Sequence, residues 1–136
     1  MIKVIYGNKG IGKTKYLITS ANALLKDCLG DVVFINGDNS LITDLRHEIR
    51  YINTSDFPIK RIEEVFAFIC GIIAEDYDIS AIYMDGLEKF DASQNEYTVF
   101  FEKLKGLSEK FEIRFIFTIN GDISGVPEYV SKEYAC

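Results

Sequence analysis

The hydrophobic residues of this chain form short continuous runs that alternate with longer periodic stretches. Short runs rich in β-branched residues predict buried strands. A shorter stretch, Ile49 to Asn53, is predicted to be either a strand or an extended connector. The four main predicted strands are Ile2 to Tyr6, Asp31 to Asn36, Ile79 to Asp85 and Glu112 to Asn120.

The longer stretches carry apolar residues at helical spacing, which predicts amphipathic helices. Proline favours the first turn of a helix, so Pro58 is predicted to open the second helix, with Ser55 or Asp56 as its cap. A short final helix is predicted after Pro127. The three main helical stretches are Lys13 to Cys28, the apolar face from Ile59 to Ile73, and Glu96 to Phe111.

Predicted strands and helices alternate at the spacing of βαβ units. Strands that are nearly continuous in apolar residues are typical of parallel sheets covered on both faces. We therefore predict an α/β fold, a three-layer α/β/α sandwich with a mostly parallel sheet. A chain of 136 residues supports one hydrophobic core, so a single domain over 1–136 is expected.

Charge and cysteine content narrow the classes of partner. The net charge is −6, and an acidic chain repels a phosphate backbone, so nucleic-acid binding by this domain alone is disfavoured. A local basic patch is the alternative, and it would use Arg46, Arg50, Lys60 and Arg61. The three cysteines are odd in number and form no C-x-x-C pair, which predicts neither a disulfide framework nor a zinc site.

Membrane and export signals are also weak in this sequence. The longest apolar run, Val65 to Ala74, is too short to span a bilayer. The N-terminal apolar run reaches Gly7 too soon for a signal peptide. We therefore expect a cytoplasmic protein without a membrane partner.

A specific motif lies between the first predicted strand and the first predicted helix. The segment Gly7 to Thr14 reads G-N-K-G-I-G-K-T and matches G-x-x-x-x-G-K-[ST] at Gly7, Gly12, Lys13 and Thr14. Glycines let the backbone turn its amide groups around an anion, and the helix start adds a positive end. Lys13 is predicted to reach the β- and γ-phosphates of a nucleotide, and Thr14 to bind Mg²⁺. The rest of the predicted nucleotide-binding loop is Asn8, Lys9, Gly10 and Ile11.

A carboxylate follows the third main predicted strand. The run Ala81 to Met84 is apolar and ends at Asp85. Ligands of open α/β sheets bind outside the carboxyl ends of the strands, where the phosphate loop is also expected. Asp85 is therefore predicted to coordinate Mg²⁺, directly or through water.

These residues resemble the P-loop NTPases, and more narrowly their RecA-like ATPase branch, over nearly the whole chain. One predicted strand, Val32 to Ile35, separates the phosphate-loop strand from the Asp85 strand. The resemblance implies a main strand order of 1-4-3-2 and the cofactors ATP and Mg²⁺. Short chains of this kind are also similar to fragments of pilus-retraction (twitching motility) ATPases. Those proteins carry histidine- and acid-rich boxes, whereas this chain has the single histidine His47.

The same resemblance points to further site residues. Many hydrolytic members place a glutamate directly after the Walker B aspartate, but here Gly86 follows Asp85. The residue that orients the attacking water is then expected to be Asp38, after the second strand, or Glu88. Thr118 or Asn120 on the fourth strand is implied as a sensor of the γ-phosphate.

Nucleotide choice follows from the end of the fourth predicted strand. The guanine-reading motif N/T-K-x-D would fall there, and the chain instead has Asn120-Gly121-Asp122, without the lysine. ATP is therefore favoured over GTP.

Three functional hypotheses fit these features. The first is an Mg²⁺-dependent ATPase or ATP-driven switch that acts through a partner. The second is a small-molecule kinase, disfavoured because no arginine for a lid lies between Phe90 and Phe111. The third is a nucleotide-binding module without turnover. The partner would be a second copy, with Arg46, Arg50 or Arg61 acting in trans, or another protein bound at Leu41 to Phe57.

Overall fold

A computed structural model describes residues 1–10, 12–27 and 29–135 of the chain. This part of the chain forms six strands and three α-helices, with single 3₁₀ turns at Thr54–Asp56 and Leu87–Lys89. The strands are β1 (Ile2–Gly7), β2 (Asp31–Asn36), β3 (Arg50–Asn53), β4 (Ile79–Met84), β5 (Arg114–Asn120) and β6 (Ser131–Tyr134). The helices are α1 (Lys13–Asp27), α2 (Ile62–Glu75) and α3 (Gln94–Phe111).

All six strands belong to one parallel sheet, in the order β3-β2-β4-β5-β1-β6. Successive side chains of a strand point to opposite faces, so each strand contributes to two cores. Val4 and Ile82 pack with α2 and α3 on one face, while Ile5 and Tyr83 pack with α1 on the other. The predicted α/β fold with a mostly parallel sheet is therefore confirmed, and helices on both faces are compatible with the predicted three-layer sandwich.

The four main strands lie within two residues of their predicted bounds, and the stretch around Ile49 to Asn53 is a strand. The predicted final helix after Pro127 is wrong, because that segment forms β6 at the edge of the sheet. Contacts with β1 explain the difference. Tyr134 packs its ring on Tyr6 with centroids 5.3 Å apart, and Glu133 pairs with Lys3 at 3.4 Å.

The predicted cap of the second helix is also wrong. Ser55 and Asp56 lie in a separate 3₁₀ turn, and α2 begins only at Ile62. The carboxylate of Glu64 accepts the backbone N–H groups of Lys60 at 3.0 Å and Arg61 at 2.9 Å. Glu64, at the third position of the helix, thus holds the backbone just before α2, and neither Ser55 nor Asp56 caps it.

The start of α3 carries a reciprocal cap. The Ser93 hydroxyl accepts the Glu96 N–H at 3.1 Å, and the Glu96 carboxylate accepts the Ser93 N–H at 2.9 Å. We expect Ser93→Ala to lower the free energy of unfolding by about 1 kcal/mol, measured by urea denaturation. Asn95→Ala, two residues away at an exposed position, is the control. A larger loss from Asn95→Ala than from Ser93→Ala would contradict this assignment.

Candidate functional site

A cleft of about 890 Å³ opens where β1, β4 and β5 end. Parallel strands place their carboxyl ends at one edge of the sheet, and the loops that follow them converge there. The walls of the cleft include the phosphate loop (Gly7 to Thr14, called the glycine loop below), the start of α1 and the turn after β4. The described lining residues are Lys9, Gly10, Gly12, Lys13, Thr14, Lys15, Ile18, Thr19, Leu41, Asp44, Asp85, Gly86, Lys89, Thr118 and Asn120.

The glycine loop needs its glycines for backbone conformation. Gly10 and Gly12 have φ of 89° and 82°, in the left-handed region that disfavours other residues. A Cβ built on either glycine meets no atom within 4 Å, so packing alone would admit a side chain. The loop therefore has a left-handed backbone beside open space, which suits close approach of a ligand. Ile11, the remaining predicted contact in the loop, lies outside the described residues.

Lys13 opens α1 and is only 4% exposed. Its ammonium donates to the Asn8 carbonyl at 2.6 Å, and this hydrogen bond connects the two ends of the glycine loop. No carboxylate in the described part of the chain forms an ion pair with it. Burying a charge is costly unless an opposite charge compensates it. A buried ammonium that keeps two N–H donors beside an open cleft is suited to bind an anion.

Asp85 lies between two threonine hydroxyls. Thr14 at the start of α1 donates to its carboxylate, with distances of 3.2 and 3.0 Å to Oδ1 and Oδ2. Thr118 on β5 donates to Oδ1 at 2.6 Å and accepts the Gly86 N–H at 2.8 Å. Since Thr118 is 2% exposed, it holds the carboxylate in one orientation. Thr118, predicted as a phosphate sensor, is thus placed where it positions Asp85.

The pair of Thr14 and Asp85 fits a magnesium ion by its chemistry. Mg²⁺ prefers oxygen ligands at about 2.0–2.1 Å, so neighbouring ligands of its octahedron lie about 3 Å apart. Thr14 Oγ1 and Asp85 Oδ2 lie 3.0 Å apart as hydrogen-bond partners, a separation that neighbouring Mg²⁺ ligands also have. The described residues contain no group of three or more His, Cys, Asp or Glu side chains arranged for a metal.

The two predicted water-orienting carboxylates lie beside this cleft and are not among its lining residues. Glu88 accepts the backbone N–H of Asn120 at 2.9 Å, and the Asn120 amide lies 3.5 Å from its second oxygen. Asn120 itself lines the cleft. Asp38 is exposed and accepts the Ser40 N–H at 2.8 Å. Hydrogen bonds from the Ser40 side chain and backbone, with the charge of Lys89, lower the pKa of Asp38 and weaken it as a base.

Sequence reasoning missed Asp44, an acid that lines the cleft. Asn22 of α1 donates its amide to the Asp44 carbonyl at 3.0 Å and accepts the Arg46 N–H at 2.9 Å. Leu45 between them is 7% exposed and packs in the α1 core. The segment predicted as a partner surface is therefore partly a core element that sets one wall of the cleft. In the sequence, Leu45 and Ile49 are two apolar residues of an irregular stretch, and the structure shows that both are buried.

Lysines dominate the charge of the cleft. Lys9, Lys13, Lys15 and Lys89 line it together with only Asp44 and Asp85 among the described acids. The chain as a whole carries a net charge of −6, so the lining departs in sign from the rest of the molecule. A concave site of positive charge in an acidic protein attracts anions locally.

The three arginines considered for action in trans all lie outside the cleft lining. Arg46 pairs with Glu48 at 3.8 Å and Arg50 with Glu75 at 3.2 Å. Arg61 lies 2.6 Å from Glu63 and 3.3 Å from Glu96. Three of the four residues of the predicted basic patch are therefore paired with neighbouring glutamates, and its fourth residue, Lys60, has no ion pair among the described residues.

Comparisons with known proteins leave the site to be interpreted from its geometry. No protein-family model matches the chain, and no curated protein resembles it at a significant level. Within the described ranges, no helix combines the length and apolar character that crossing a bilayer requires.

Proposed function

We propose that this chain is a P-loop protein that binds a nucleoside triphosphate with Mg²⁺, ATP in preference to GTP. The observation that carries the proposal is the buried ammonium of Lys13, which has no carboxylate partner among the described residues and faces an open cleft. A phosphate chain supplies the missing negative charge. The left-handed glycines and the start of α1 add backbone N–H groups suited to the same anion.

The sheet supports the narrower proposal of a RecA-like fold. The phosphate-loop strand β1 lies beside β5, and β4 with Asp85 lies between β5 and β2. With β1, β2, β4 and β5 numbered as the main strands, these neighbours support the proposed order 1-4-3-2. The short strands β3 and β6 extend the sheet at its two edges.

Four residues of the cleft have proposed tasks. Lys13 would bind phosphate oxygens, and Thr14 and Asp85 would hold Mg²⁺, which when bound would supply positive charge to the phosphates. Thr118 fixes the Asp85 carboxylate. We propose an ATPase or ATP-driven switch that acts through a protein partner or a second copy, in the cytoplasm.

A binding module without turnover is the second candidate, and the position of the carboxylates favours it. No glutamate follows Asp85, since residue 86 is a glycine. The Glu88 carboxylate is hydrogen-bonded to the Asn120 N–H, and the lowered pKa of Asp38 makes it a weaker base. The described acids in the cleft lining are Asp44 and Asp85. Asp85 already accepts hydrogen bonds from the hydroxyls of Thr14 and Thr118. Asp44 thus joins Asp38 and Glu88 as a candidate for orienting a water.

Calorimetric titration and a phosphate-release assay separate these candidates. We expect ATP to bind more tightly with Mg²⁺ than without it, and more tightly than GTP. Release of phosphate that is lost in one of Asp38→Asn, Asp44→Asn or Glu88→Gln would identify the water-orienting residue. Binding without phosphate release in the wild type would favour the module. Absence of ATP binding at millimolar concentration would reject the proposed function.

A further inference from the structure

We propose that Lys89 is a second phosphate-binding cation, supplied by the chain itself, and that it makes the cleft prefer a triphosphate over a diphosphate. The inference rests on the proposed nucleotide-binding function and extends it to a residue that sequence motifs do not mark. Lys89 lines the same cleft as Lys13, Thr14 and Asp85.

The backbone around Lys89 is firmly placed. It ends the 3₁₀ turn that follows Gly86, and its N–H donates to the Gly86 carbonyl at 3.1 Å. Its neighbours Leu87 and Phe90 are both buried in the core between the sheet and α2 and α3. The lysine between these anchors is exposed on the cleft side.

Gly86 leaves room for the Lys89 side chain, and Gly37 lies beside the Lys89 ammonium. A Cβ built on Gly86 would lie 2.9 Å from Lys89 Cε and 3.2 Å from its Nζ. A Cβ built on Gly37, just after β2, would lie 3.8 Å from the same Nζ. The lysine stem therefore crosses over Gly86, and its ammonium lies between the ends of β4 and β2. The resemblance led us to look for a glutamate at position 86. The Lys89 side chain instead occupies the space that a side chain at that position would take.

Among the described residues, the ammonium of Lys89 has no fixed counter-ion. It forms no ion pair with a carboxylate in the described part of the chain, whereas Arg46, Arg50 and Arg61 each do. Asp38 is near enough for the charge of Lys89 to lower its pKa, but the two do not form a salt bridge. A cation beside a phosphate cleft and without a partner can bind an incoming anion without breaking an existing pair.

The sheet order indicates which phosphate Lys89 would contact. Lys13 and the glycine loop follow β1, and β5 and β4 lie between β1 and β2. The Lys89 ammonium, between the ends of β4 and β2, lies beyond Asp85 as seen from β1. A phosphate chain held first by the glycine loop and extended past Asp85 brings its terminal group to Lys89. A diphosphate is one group shorter and leaves this contact unmade.

The test compares ATP and ADP binding, both with Mg²⁺, by calorimetry of wild type, Lys89→Met and Lys89→Arg. We expect Lys89→Met to weaken ATP binding about tenfold and ADP binding less than about twofold, as loss of one partly exposed charge contact implies. Lys89→Arg keeps the charge and should retain the preference for ATP. Equal weakening of ATP and ADP, or no weakening of either, would overturn the role of Lys89. Failure of the wild type to bind either nucleotide would instead reject the proposed function.

A double-mutant cycle tests whether Gly86 acts through Lys89. Gly86 has φ of 79°, so Gly86→Ala strains the turn and also places a methyl group 2.9 Å from Lys89 Cε. In the wild type, displacement of the lysine stem should reduce the preference for ATP over ADP. In the Lys89→Met background, Gly86→Ala should change that preference little further. Two reductions that simply multiply would show that Gly86 and Lys89 act independently, and would overturn this link.

Discussion

Lys13→Ala is expected to weaken Mg²⁺-ATP binding by at least about 100-fold. The ammonium is buried, lies at the start of α1, and has the Asn8 carbonyl as its one hydrogen-bond partner in the described structure. Hydrogen bonds from a charged donor contribute about 1.5–3 kcal/mol each, and 1.4 kcal/mol is a factor of ten in affinity. Removing two such donors from the phosphates is therefore sufficient for a loss of this size.

The stability of the unliganded variant separates this loss from misfolding. A buried charge without an opposite charge destabilises a folded protein, so Lys13→Ala should leave the thermal midpoint of the apoprotein unchanged or raise it. Lys26→Ala, at the far end of the same helix, is the matched control and should bind ATP as the wild type does. Weak binding by Lys26→Ala, or normal binding by Lys13→Ala, would contradict the role of Lys13.

Asp85→Asn is expected to remove most of the effect of Mg²⁺ on ATP binding. The amide keeps an oxygen that can accept from Thr118, so the local fold should persist, but the negative charge that attracts the cation is lost. The ratio of ATP affinities with and without Mg²⁺ should fall by about tenfold or more, measured by calorimetry.

Asp44→Asn is the control for this second experiment, because it removes the same charge from the lining of the same cleft. It should keep the dependence of ATP binding on Mg²⁺. If Asp44→Asn removes that dependence and Asp85→Asn preserves it, Asp44 rather than Asp85 is the metal ligand.

Most of the fold could be predicted because its strands are strongly patterned. Runs such as Val32 to Ile35 are continuous in apolar residues, and this pattern needs no tertiary information to indicate a buried strand. The tail after Pro127 could not be predicted in this way. Its strand is four residues long, mostly exposed, and stabilised by its contacts with Lys3 and Tyr6 across the sheet edge.

The candidate site likewise contains residues that a sequence pattern predicts and residues that only the folded structure brings in. The phosphate loop is contiguous in sequence, so its glycines, Lys13 and Thr14 could be predicted from their spacing. Asp85 could be predicted to lie near the phosphate loop, because the carboxyl ends of parallel strands meet at one edge of the sheet. Lys89 and Asp44 reach the cleft through a 3₁₀ turn and a loop held by Asn22, and neither arrangement leaves a periodic pattern in the sequence.

A crystal structure with Mg²⁺ and a non-hydrolysable ATP analogue tests the central claim most directly. We expect the phosphates to lie against the backbone amides of Gly10 and Gly12 and the ammonium of Lys13, with the Mg²⁺ about 2.1 Å from Thr14 Oγ1. An analogue bound elsewhere on the molecule, with the Lys13 ammonium still bonded only to Asn8, would contradict the claim.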